Sequence, residues 1–176
     1  MSVLRYFGIF SAVLAWVIIL ACVLLNPWFV FTKNAFSDLG GASAKHPWLY
    51  NYGLVTVSVF VFLYGVYLIR AFSQKLMVVS ASFVLVASIF LALIGIFHEG
   101  TYPHVFVSTW FFVQFDMAIF VSGLAFWRTK LGKAIIALFA VSNLVALTVH
   151  WPSAATIEAW GIATIDVWAL LVFLYT

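Results

Sequence analysis

The chain has 176 residues, of which 66% are hydrophobic and 7% charged, and its mean hydropathy is +1.19. A soluble globular chain carries about a quarter charged residues, and no water-soluble fold hides this much apolar surface in so short a chain, so the bilayer is the expected solvent. The net charge of +3 comes with no basic run and no nucleic-acid motif, which excludes nucleic acid as a partner and leaves membrane lipids as the expected contacts.

Six spans are predicted, each close to the roughly 20 residues that cross a hydrocarbon core of about 30 Å. The first runs from Tyr6 to Leu25. It follows Arg5 as a signal peptide would. However, its apolar stretch is too long and no small-residue cleavage site follows before Asn26-Pro27, so it reads as a retained helix. A loop rich in turn formers comes next, with Lys33-Asn34, Gly40-Gly41 and His46-Pro47. The second span runs from Leu49 to Leu68 and ends at Arg70. A tight link from Ala71 to Lys75 leads to the third, Leu76 to Phe97. His98 to Pro103 forms a short loop before the fourth span, His104 to Phe126. The basic link Trp127 to Lys133 precedes the fifth, Ala134 to Thr148. A Trp-Pro-Ser turn at 151–153 precedes the sixth, Ile157 to Tyr175.

The loops are too short for a soluble domain, so residues 1–176 read as a single transmembrane domain. No internal repeat or low-complexity segment is visible. The one cysteine, Cys22, lies inside the first span and permits no intrachain disulfide. The fold class is therefore an all-α membrane bundle of six transmembrane helices. Arg5, Arg70, Lys75, Arg128, Lys130 and Lys133 collect on one side, against Lys33 and Lys45 on the other. By the positive-inside rule, both termini are expected in the cytoplasm of a multi-pass protein of the cell membrane. Trp28, Trp48, Trp151 and Trp160 suit an outer aromatic belt, and Trp127 an inner one.

In this topology all five acids and all four histidines fall on the outer side or in the outer half. Ionisable groups at membrane depth are costly and mark functional sites. Ser37-Asp38-Leu39-Gly40-Gly41 lies in the longest outer loop. Ser37 suits a cap and the glycines suit a turn, while Asp38 is placed to accept hydrogen bonds from histidines. His46 reads as an interfacial loop residue. Gly100 and Pro103 are ordinary helix punctuation, and the short connection brings His98, Glu99 and His104 close together. These three are the candidate metal ligands, although His-Glu-x₄-His is not the helical zinc pattern of two histidines four apart.

His104, Ser108 and Phe111 or Phe112 share a face of the fourth helix. Asp116 lies about 18 Å deeper at 1.5 Å per residue, so it must face the bundle interior, be protonated, or both. Asn143 and His150 are seven apart on the fifth helix, roughly on one face. The sixth helix carries Glu158 near its entrance and Asp166 about 12 Å further in. The residues divide into two tiers. Asp38, Glu99, His104, His150 and Glu158 are candidates for chemistry or head-group binding. Asp116, Asn143 and Asp166 form an expected buried polar layer, which in the bland reading is an interhelical network holding the bundle. Nothing polar beyond serine is expected to continue this set into the cytoplasmic half.

Ser37-Asp38-Leu39-Gly40, then Gly95-Ile96-Phe97 with Glu99-Gly100, then His104 and Ser108, resemble the archaeal and bacterial membrane family called domain of unknown function 998. The resemblance covers nearly the whole chain. It implies a six-helix bundle with a Ser-Asp-Leu-Gly loop after the first helix. His98 stands where that family more often has proline, and Glu158 resembles an acid near the start of its last helix. The resemblance moves weight towards Asp38, Glu99, His104 and Glu158, and it implies no established activity.

Three readings follow. One is a membrane enzyme, or a binding protein for a lipid head group, with histidine as base and carboxylates orienting it. The second is a proton- or ion-coupled transporter using Asp116 and Asp166, and the third a non-catalytic scaffold. A polar set confined to one side suits a pocket better than a pore. No lysine lies inside a span, which excludes a retinal-type Schiff base. The sequence leaves the cofactor, the substrate and the oligomeric state open.

Overall fold

The computed structural model describes residues 3–176. Among them six long helices follow one another: α1 Phe7–Leu25, α2 Pro47–Ala71, α3 Lys75–Ile96, α4 His104–Ala125, α5 Lys130–Thr148 and α6 Ala154–Tyr175. A 3₁₀ turn, Val3–Tyr6, precedes α1, and a second, Phe36–Gly40, lies in the α1–α2 loop. All six helices are long and apolar enough to cross a membrane. Large apolar side chains stay uncovered on their outer faces; Leu24 is 83% exposed and Leu147 85%. In water such a surface would aggregate, whereas in lipid it is the ordinary contact surface. The chain is an integral membrane protein of the multi-pass kind.

The helix boundaries follow local chemistry. Pro47 occupies the first turn of α2, where its missing N–H costs nothing. The helix therefore starts two residues before the expected Leu49. Thr129 Oγ1 accepts the N–H of Gly132 at 3.1 Å and starts α5 at Lys130, four residues earlier than expected. Ser153 and Thr156 form a reciprocal capping box that starts α6 at Ala154, not Ile157. Gly132 is required on steric grounds, because a Cβ there would run into the backbone carbonyl of Phe126 in the tight α4–α5 turn.

Each helix packs on the next, and α6 returns to α1, so the bundle closes as a ring. Arg5 fastens that closure: its Nη2 donates to the Phe173 carbonyl at 2.8 Å, and its guanidinium lies 4.4 Å from the centre of the Phe173 ring. Helix α5 stands outside, against α4 and α6. The core lies inside the ring, where Leu39, Leu68, Met77, Val84, Ala118 and Trp168 are all but inaccessible. Trp168 Nε1 satisfies its donor on Ser122 Oγ at 2.9 Å, and Ser80 Oγ donates to the Ala118 carbonyl at 2.7 Å. These are the interhelical bonds that a lipid-embedded core needs.

Candidate functional site

The α1–α2 loop folds over one end of the ring as a lid. Asn26, 1% exposed, staples its two ends: Nδ2 donates to the carbonyls of Cys22 and Lys45, and Oδ1 accepts the N–H of Lys45 at 2.6 Å. Between these ends the Phe36–Gly40 turn presses into the bundle. Phe36 is buried among Trp16, Phe29 and Phe31. The turn is anchored on three sides. The Phe36 N–H donates to Glu158 Oε2 on α6 at 2.8 Å. Ser37 Oγ donates to Glu99 Oε2 at 3.2 Å. Asn51 Nδ2 on α2 donates to the Gly40 carbonyl at 3.0 Å. A Cβ at Gly40 would collide with Asn51 Oδ1, so glycine lets the lid close on α2. Asp38 turns back on its own loop, where Oδ2 accepts the N–H of Ala35 at 2.9 Å. The lid is also tied to the start of α6 by Ala155 N–H to the Asn34 carbonyl and Ser153 Oγ to the Phe31 carbonyl.

Beneath the lid, Glu99 and His104 meet. His104 is 4% exposed at the first turn of α4; its Nδ1 lies 2.8 Å from the Phe97 carbonyl and its Nε2 3.0 Å from Glu99 Oε2. A carbonyl only accepts, so Nδ1 carries a proton. The Nε2–Oε2 contact then requires a second proton between two otherwise repelling acceptors. Glu158 lies within electrostatic reach of Asp38, His104 and Glu99 but bonds to none of them. Its Oε1 has no hydrogen-bond donor among the described residues.

From this mouth a cavity of about 110 Å³ runs down the middle of the ring. Its walls are helical stripes: Ser11, Ala15 and Ile19 on α1; Tyr50, Leu54, Val57, Val61 and Tyr64 on α2; His104, Ser108, Phe111 and Phe115 on α4; Glu158, Ile162, Ile165 and Ala169 on α6. Steps of three and four residues keep each stripe on one helix face. The α2 stripe runs fourteen residue steps from Tyr50 to Tyr64, about 21 Å at 1.5 Å per residue. The cavity is thus a long, thin, mostly apolar channel with one carboxylate, Glu158, at the lidded end and a second, Asp166, about two turns further down α6.

A second, wider cavity of about 590 Å³ lies among α4, α5 and α6. Asp116, Asn143, Ala146, Trp160 and Gly161 line it, and it opens where Val113, Leu147 and Ile157 are exposed. The two cavities share Ser108, Phe112, Phe115, Glu158 and Ile165. The Phe112 ring rests on Gly161, where a Cβ would come within 2.7 Å of its Cε1.

The structure brings His104 and Glu158 into the wall of the mouth, with Glu99 bonded to His104 behind it and Asp38 in the lid. His98 stays in its turn, with Nδ1 2.9 Å from the Glu99 carbonyl. Among the described residues, no group of three or more His, Cys, Asp or Glu is disposed to hold a metal ion. His150 does not share a helix face with Asn143: α5 ends at Thr148, Val149 is extended, and His150 is exposed and lines neither cavity. The buried tier is divided between helix pairs. Asn143 Nδ2 donates to Asp116 Oδ1 at 2.8 Å between α5 and α4, in the wide cavity. Asp166 Oδ2 accepts from Trp16 Nε1 at 2.8 Å between α6 and α1, in the channel. The two pairs therefore line separate spaces, with no hydrogen bond from one pair to the other among the described residues.

The expectation that nothing polar beyond serine lies past the midplane needs correction. Tyr64 lines the channel far from the mouth, 3% exposed, and its hydroxyl finds no partner among the described residues. The i, i+4, i+7 stripe from Tyr50 to Tyr64 was the available signal in the sequence.

A family described as protein of unknown function (DUF998) matches residues 9–175, nearly the whole chain, and the chain belongs to that family. No curated protein and no solved structure matches it.

Proposed function

We propose that this member of the DUF998 family binds a membrane amphiphile, with the tail in the central channel and the polar end against Glu158 beneath the lid. The observation that carries the reading is the channel itself. Stripes from several helices converge on a space about 21 Å long and mostly apolar, with Glu158 Oε1 unbonded among the described residues at the lidded end and Asp166, held by Trp16, part-way down the wall. An apolar space of this kind stays dry and takes apolar guests, and a few polar groups at its end fix orientation. Oε1 of Glu158 selects a hydrogen-bond donor, an amine or a hydroxyl. The acids around it disfavour a phosphate. With six of eight basic residues at the other end of the bundle, the mouth faces the outside of the cell membrane.

Binding is favoured over hydrolysis by the direction of one hydrogen bond. Ser37 Oγ donates to Glu99 and not to His104, so the histidine does not activate it as a nucleophile. Asp116 and Asp166 face different cavities, which weighs against a shared proton path.

The test is thermal unfolding of the purified full chain with monoacylglycerols of increasing chain length. A ligand that binds only the folded state raises the melting temperature. Stabilisation should grow with chain length and vanish in Ala15→Phe, which fills the channel. No gain with length, or an unchanged response in Ala15→Phe, would sink the reading.

A further inference from the structure

We infer that the amphiphile has two chains: one occupies the central channel, the other the α4–α5–α6 cavity, and the polar group sits where the two spaces meet. This rests on the binding reading above and narrows its ligand class. The two cavities adjoin at the level of Glu158 and Ser108, each four residues into its helix from the lidded end, and both residues line both spaces. Below that level the Phe112 ring, seated on Gly161, stands in the walls of both. Two spaces that share a carboxylate in their walls near the lidded end and flank an aromatic ring below it match a branched amphiphile. A single-chain molecule would leave one of them empty.

The two spaces differ in a way that assigns the chains. The channel is narrow and enclosed by the ring, so it holds one chain and fixes its direction. The second cavity is wider and opens beside Val113, Leu147 and Ile157, whose exposed apolar surfaces are lipid contacts. A chain lying there stays in touch with the bilayer, which gives the ligand a sideways path that leaves the lid closed. The polar group then needs only a hydroxyl or an amine for Glu158 Oε1. A neutral two-chain glyceride supplies that hydroxyl without adding a negative charge beside Glu158, which Asp38 and Glu99 already reach electrostatically.

The experiment compares dioleoylglycerol with monooleoylglycerol on the purified full chain in one detergent, reading affinity from melting-temperature titrations. The two-chain probe should bind at least tenfold tighter. Ala146→Phe narrows the second cavity without touching the channel, and it should erase that preference while single-chain binding is unchanged. If this variant does not fold, Val113→Trp at the rim of the same cavity should have the same effect. Equal affinity of the native protein for the two probes, or equal weakening of both by either variant, overturns the inference and leaves the binding reading standing. Failure of both probes to bind removes the two together.

Discussion

His104 Nε2 lies 3.0 Å from Glu99 Oε2 while its Nδ1 is engaged by the Phe97 carbonyl at 2.8 Å. One proton must sit between ring and carboxylate, whichever atom owns it. The same carboxylate oxygen accepts from Ser37 in the lid. The histidine thus holds Glu99, and Glu99 holds the lid.

His104→Phe removes both polar ring contacts while keeping a planar ring at the site. It leaves the half-buried Phe97 carbonyl short of a donor, at up to about 1–3 kcal/mol, and frees the partly exposed Glu99 carboxylate to turn to water. The melting temperature should fall, and amide exchange at 36–41 should quicken more than in the middle of α3. A uniform rise in exchange across the bundle would contradict the latch.

Glu158→Gln and Glu158→Ala separate two roles. Glutamine keeps an acceptor for the Phe36 N–H, so the lid should stay shut and stability change by less than about 1 kcal/mol. Alanine loses the acceptor and should loosen the lid. Both should weaken monoacylglycerol binding. A glutamine variant that binds as the native protein does would show that the carboxylate has no part in recognition.

Gly40→Ala should destabilise the fold by about 1–3 kcal/mol, because the new methyl meets Asn51 Oδ1 and, at 2.9 Å, Tyr50 Cδ1. In an Asn51→Ser background the clash with Asn51 is gone and the added cost should drop. Strictly additive losses in this double-mutant cycle would refute the contact.

Asp116→Asn and Asp166→Asn each keep an acceptor for their partner, Asn143 or Trp16. Their stability effects should add to within about 0.5 kcal/mol in the double variant, as for independent sites. Strong coupling, read from the same unfolding curves, would put the two acids back into one network.

The six spans were legible because composition and run length alone decide them. Their ends moved where a cap chose the first residue, at Pro47, Thr129 and Ser153. The lid motif was legible as a turn, but not its anchors. That Phe36 reaches Glu158 across 122 residues is a tertiary fact. Asp116 and Asp166 looked alike by depth, and depth is all that helical rise can give. Which neighbour each faces depends on the rotation of α4 and α6 within the ring. His150 was misplaced because a face was extended past the last turn of α5. Tyr64 escaped notice because it carries no charge; its meaning comes from its burial in the channel wall, which only packing reveals.

The lid draws its bonds from the ends of α1 and α2, from the α3–α4 turn and from α6, so no single one of them can release it. Passage through that end of the channel must wait for a cooperative opening of residues 26–46. The residence time of anything leaving by this route is then set by the loop's own opening rate and not by the occupant's affinity. Occupants of very different chemistry should share one slow exit rate there.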